Sequence, residues 1–187
     1  MDLMKLLRHR TKETAKSSYQ TSDGSQFLFR LAEILKSDIA EVCALQPEAA
    51  EEEILRLGRN MKVYVGNLNE RATPEKDGYN YLFLNVPSKR GLMLELDPDQ
   101  ADIHMRHGTL IVPLKRNNFE ELEQSTLFVT APQVLYHFVT MANDLVREKN
   151  ENKTYSLEAM SELMLAVAFG IREPEPAKPT LKNDDLV

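Results

Sequence analysis

The sequence predicts an α+β protein: an antiparallel sheet of four to five strands flanked by an N-terminal helix pair and a C-terminal helical hairpin. Three observations point there. Apolar residues recur at three- and four-residue spacing from Phe27 to Val42, and the period falls to two from Met61. Further on, Thr130-Ala131-Pro132-Gln133 carries the chemistry of a helix start, ahead of a second apolar face.

Residues 1–20 hold Lys5, Arg8, Arg10, Lys12 and Lys16 against Asp2 and Glu13, which marks a basic N-terminal arm. The cluster Thr21-Ser22-Asp23-Gly24-Ser25, with Gln26 three places after Asp23, resembles a capping box and opens the first helix. Phe27, Leu28, Leu31, Ile34, Leu35, Ile39 and Val42 form its apolar face. A second helix is expected from Pro47, with Glu51, Glu52 and Glu53 near its positive end and Gly58 stopping it. Strands are expected over 61–65, 79–86, 92–96 and 109–114, with a short fifth over 126–129. The links among the first of these are hairpin-like, so antiparallel pairing is the economical outcome. Pro113 would end the fourth strand or put it at an edge.

Val134, Leu135, Phe138, Met141, Ala142 and Leu145 then read as one helical face, and Leu157, Met160, Leu163, Met164 and Val167 as another. The polar turn 149–154 between them suggests an antiparallel helical hairpin. After Gly170 the sequence IREPEPAKPTLKNDDLV has three prolines and little apolar area, the composition of a disordered tail. The expected organisation is thus a basic arm at 1–20, one α+β domain at 21–170 and a Pro-containing tail at 171–187.

The composition is that of an ordinary globular chain, 42% hydrophobic and 28% charged, so it carries enough apolar area for a core. A formal charge of −6 offers no global attraction to phosphate backbones or anionic lipid. Cys43 is the one cysteine, which excludes an internal disulfide and a thiolate metal cage, and its apolar neighbours suit a core thiol. These features, with no apolar run of membrane-spanning length, lead to the expectation of a cytoplasmic protein that does not enter a membrane.

GxGxxG, Walker, GxSxG, HExxH and CxxC patterns are absent from the sequence. His107-Gly108-Thr109-Leu110 resembles the His-x-Thr-hydrophobic element of the two-histidine phosphoesterases, in which His and Thr share one strand face to engage a phosphate. That family uses two such elements, and His137 has its threonine, Thr140, three places on instead of two. Asp97, Asp99, Asp102 and His104 follow a strand at spacings that match no calcium loop, and a solvated turn started by Pro98 is the simpler reading. We therefore expect no metal or cofactor and lean away from an enzyme, with a phosphoesterase using His107 and Thr109 kept as the alternative.

Two binding readings follow. If the short strands closed into an OB-like barrel, Lys62, Tyr64, Tyr81, Lys89, Arg90, Lys115 and Arg116 would be the residues to meet single-stranded nucleic acid. The ending Asp184-Asp185-Leu186-Val187 resembles the acidic, then apolar, partner-recruiting tip of bacterial single-strand-binding proteins. The reading we favour is a non-enzymatic protein-interaction module: an adaptor, a chaperone or an inhibitor of a macromolecular machine, including a virus- or mobile-element-encoded one. Its contacts would be the terminal Asp184, Asp185, Leu186 and Val187 and the arm residues Arg8 and Arg10.

Overall fold

The computed structural model describes residues 23–45, 52–69, 72, 74–86, 90–99, 101–111 and 127–171. Helix α1 (Asp23–Ala44) and helix α2 (Glu52–Asn60) precede seven strands, and helix α3 (Leu157–Ala168) follows them. The strands are β1 (Lys62–Gly66), β2 (Tyr81–Asn85), β3 (Gly91–Leu96), β4 (Asp102–Ile111), β5 (Leu127–Met141), β6 (Leu145–Glu148) and β7 (Thr154–Tyr155). They form one sheet in sequence order, each strand antiparallel to the next. A single helical turn, Pro74–Asp77, lies in the β1–β2 connection.

The expected sheet of four to five strands, with a helical hairpin on its C-terminal side, is corrected by this arrangement. The segment read as the hairpin's first helix is the long strand β5 and the strand β6. The short strand expected at 126–129 is the start of β5. Both periods fit residues 134–145, because Val, Leu, Tyr, Phe and Met are dense there, and the tie is broken by β4, which offers a ten-residue edge to pair with. Pro132 has no N–H to give a ladder, and it falls in the stretch where the β4–β5 register slips between Arg106 and Gly108. What looked like a helix N-terminus is a stretch of β5 at an irregularity in the ladder. The fourth strand also begins earlier than expected, at Asp102, so Asp102 and His104 belong to the ladder and not to a solvated turn. Helix α2 runs through Gly58, two residues past the expected stop. Its expected start at Pro47 lies outside the described residues, as do the arm at 1–20 and residues 172–187.

One sheet face packs on the helices. Leu82, Leu84, Leu92, Leu94, Leu96, Ile103, Met105, Tyr136, Phe138 and Val146 form a single buried cluster with Phe27, Leu28, Leu31, Leu35 and Ile39 of α1 and Met160, Leu163, Met164 and Val167 of α3. Alternation along each strand places these side chains on the same side. Helix α3 is buried on nearly every side, as its apolar sequence LEAMSELMLAVA dictates. Ser156 caps it by accepting from Ala159 N, and it ends in a Schellman motif: Gly170 takes φ 72° while Ile171 N donates to Ala166 O and Gly170 N to Val167 O.

Helix α1 is pinned at three points. Near its start the Ser25 hydroxyl accepts from Tyr79 N at 2.7 Å, an approach that leaves no room for a side chain at Gly78, whose φ is +77°. One turn on, Arg30 pairs with Asp144 in the β5–β6 turn. Deeper in the core, the Ser161 hydroxyl of α3 donates to the buried Asp38 side chain at 2.5 Å, joining the two helices.

Candidate functional site

The far face of the sheet has a different chemistry. Cross-strand register arranges it in rows. One row runs Tyr64, Phe83, Met93, Arg106 and Val134; the next runs Gly66, Tyr81, Glu95, His104 and His137. Lys149 extends the second row, since its N–H donates to His137 O. A third row starts where Asp97 N donates to Asp102 O and continues through Val139 and Arg147.

The first row is packed. Phe83 and Met93 are fully buried, yet they lie outside the helix-side cluster. Tyr64 stacks on Phe83 with ring centroids 6.4 Å apart, and the Phe83 ring lies over Gly91, where an added Cβ would come within 2.4 Å of it. A glycine is required there by this close approach.

The second and third rows meet in a polar cluster. His104 and His137, directly opposite on β4 and β5, hold their rings 4.3 Å apart between centroids. His104 Nδ1 lies 3.1 Å from Asp97 Oδ1, and His137 Nε2 lies 2.8 Å from Asp102 Oδ2. Lys149 Nζ donates to the same Asp102 oxygen at 2.6 Å. Burial alone would raise the Asp102 pKa, but the hydrogen bonds from Lys149 and His137 outweigh it and hold the carboxyl below its ordinary value. Glu95 is engaged sideways by Arg106 at 3.7 Å. At that end of the ladder Thr140 Oγ1 and N both donate to Ala101 O. Comparison with protein-family models, with curated proteins and with solved structures finds no match.

Of the four acidic-turn candidates, Asp97, Asp102 and His104 come together, while Asp99 instead accepts from Ala101 N and shapes the β3–β4 turn. Sequence reasoning missed His137 and Lys149 as members of this cluster, because reading residues 134–145 as a helix removed His137 from the sheet. Strand parity was the signal available: with β5 extended, His137 and Val139 fall on the side of His104 and Asp102.

His107 and Thr109 both lie on β4. His107 is half-buried, and its Nδ1 is buried with no hydrogen-bond partner among the described residues. His137 pairs with His104, three residues from His107 and thus about 10 Å along the strand. The two elements of the phosphoesterase pattern are not brought together.

Among the residues named for nucleic acid, Lys62, Tyr64 and Tyr81 fall on the far face, and Arg90 is exposed just before β3. Among the described residues the strands pair in sequence order as a seven-stranded meander, not as the OB-like barrel that reading required. Lys89, Lys115 and Arg116 lie outside the described residues, as do Arg8, Arg10, Asp184, Asp185, Leu186 and Val187. No helix among the described residues is long and apolar enough to cross a membrane.

Proposed function

We propose that the chain is a protein-interaction module, an adaptor, chaperone or inhibitor that works by docking and not by turnover. The observation that supports this reading is an exposed apolar patch at the end of the sheet where α1 begins. Phe29 is 41% exposed and stacks on Tyr79 at 5.2 Å between centroids; Leu68, in the adjoining β1–β2 connection, is 42% exposed. Single exposed apolar residues are ordinary, but an exposed aromatic ring stacked on a second one, with a further exposed leucine in the adjoining connection, is a composition suited to an interface.

The connection beside Tyr79 is also hydrogen-bonded to itself. Leu68 N donates to Asn80 Oδ1, Asn80 Nδ2 to Asn67 Oδ1 and Asn67 Nδ2 to Gly78 O, so the two limbs of the connection are laced together beside Tyr79. Side chains presented on such a frame lose little entropy on binding. In this reading Arg8, Arg10 and the terminal Asp184, Asp185, Leu186 and Val187 are further partner contacts.

The test is capture from the native host, with and without nuclease, using the full chain and its Phe29→Ala variant. A stoichiometric protein that survives nuclease and is lost with Phe29→Ala, at unchanged thermal stability, is the expected result. A protein partner captured equally by both would remove the patch from the reading. Capture of nuclease-sensitive nucleic acid alone would replace the reading with the single-strand-binding one.

A further inference from the structure

The His104–His137 pair has an arrangement that the docking reading does not use. Each imidazole has one nitrogen on a carboxylate: Nδ1 of His104 on Asp97 and Nε2 of His137 on Asp102. An ionised carboxylate only accepts, so it places the ring proton on the nitrogen that faces it. In the neutral form of each ring, the form that binds a metal, the lone pair then falls on Nε2 of His104 and Nδ1 of His137, on two rings that are neighbours across adjacent strands. Carboxylate-backed histidine is the arrangement that orients metal-ligating imidazoles and raises their basicity.

The local charge points the same way. Asp97 and Asp102 set two carboxylates against the two rings, with Lys149 on Asp102, while Glu95 and Arg106 pair with each other. Arg147, further along the third row, is exposed. The rings remain reachable, with side-chain exposures of 16% for His104 and 24% for His137.

We propose that His104 and His137 form a two-histidine site for a divalent transition-metal cation, with Asp97 and Asp102 as the carboxylates that hold the rings. Imidazole nitrogen selects zinc, copper or nickel over magnesium or calcium. No group of three His, Cys, Asp or Glu side chains is gathered for a metal among the described residues, so the remaining coordination positions belong to water or to a donor supplied by a ligand.

The test uses the full chain and zinc ion alone, by titration calorimetry near neutral pH. One equivalent should bind, and His104→Ala and His137→Ala should each weaken binding by at least tenfold. Asp97→Asn and Asp102→Asn, which leave the imidazoles in place, should weaken it by about 10- to 100-fold. No binding to the unmutated chain, or equal binding by the two alanine variants and the unmutated chain, would overturn the proposal, the latter marking zinc held elsewhere, for instance at His9 or His107. Should the alanine variants fail to fold, imidazole resonances of the unmutated chain decide: zinc must shift those of His104 and His137, and a shift confined to the other two histidines refutes the site.

Discussion

The two faces of this sheet are made by the same strands and obey different physics. On the helix side, Leu84, Leu94, Ile103 and Phe138 are shut away from water against α1 and α3, and their contribution scales with the area they bury. On the far side, one end of the face is closed by Tyr64, Phe83 and Met93, and the other end carries Asp97, Asp102, His104, His137 and Lys149 in directional contact. Adjacent residues of one strand, such as His137 and Phe138, therefore answer to different rules. A methylene lost from the first face leaves a cavity, whereas a donor lost from the second leaves an acceptor that water can still reach.

The largest effect should come from the helix side. Phe138→Ala empties a fully buried position and should lower unfolding stability by about 3–5 kcal/mol in urea denaturation. His104→Ala, on the adjacent strand but facing the other way, should cost about 1.5–3 kcal/mol, the net worth of a hydrogen bond to a charged group. Equal losses for the two variants would erase the distinction between the faces.

Next comes the packed end of the far face. A Cβ on Gly91 would lie 2.4 Å from Phe83 Cζ and 2.6 Å from Leu84 O, and the second of these is backbone that cannot rotate away. Gly91→Ala should therefore destabilise by about 1–3 kcal/mol, as overpacking does, and Phe83→Leu in the same chain should restore only part of the loss. Full restoration would show that the ring alone sets the constraint.

The polar end should respond to acid. Asp102 has its folded pKa below the ordinary 3.8, so it adds stability above that value and loses it as pH falls through the folded one. Below about pH 4 the unmutated chain should thus lose stability more steeply than Asp102→Asn. Parallel acid profiles for the two would mean that the bonds from Lys149 and His137 do not act on the folded state. The smallest effect is expected at Arg30, whose partly exposed pair with Asp144 should be worth about 0.2–1 kcal/mol by double-mutant cycle.

Several elements are legible in the sequence itself. The turn cluster ahead of Phe27 and the spacing of Leu31, Leu35 and Ile39 give α1, because a helix face repeats every three to four residues whatever it packs against. Alternation from Met61 onward gives β1, β2 and β3 for the same local reason. The spacing of Leu157, Met160, Leu163, Met164 and Val167, followed by Gly170, likewise gives α3 and its stop. Residues 130–148 are not legible in this way. Thr130-Ala131-Pro132-Gln133 satisfies the rules of a helix start and also those of a strand bulge, and the choice between them depends on β4, a separate segment of the chain. The site inherits that ambiguity: Asp97, Asp102 and His104 can be noticed together because they are neighbours in sequence, whereas His137 and Lys149 join them only through the register of β5 and β6.

The helix faces of α1 and α3, the stop of α3 at Gly170, the short alternating strands and the acidic balance that gives the chain no global pull toward phosphate backbones thus follow from the order of residues. The local cap signal at Thr130 and the stop signal at Gly58 do not hold. The extension of the sheet to seven strands, the conversion of an apparent helix to β5 and the meeting of His104 with His137 arise only when distant segments pair. The physical reason is that a helix satisfies its backbone hydrogen bonds within itself and a strand must find them in another segment, so only a neighbour that pairs can settle which of two compatible periods the chain adopts.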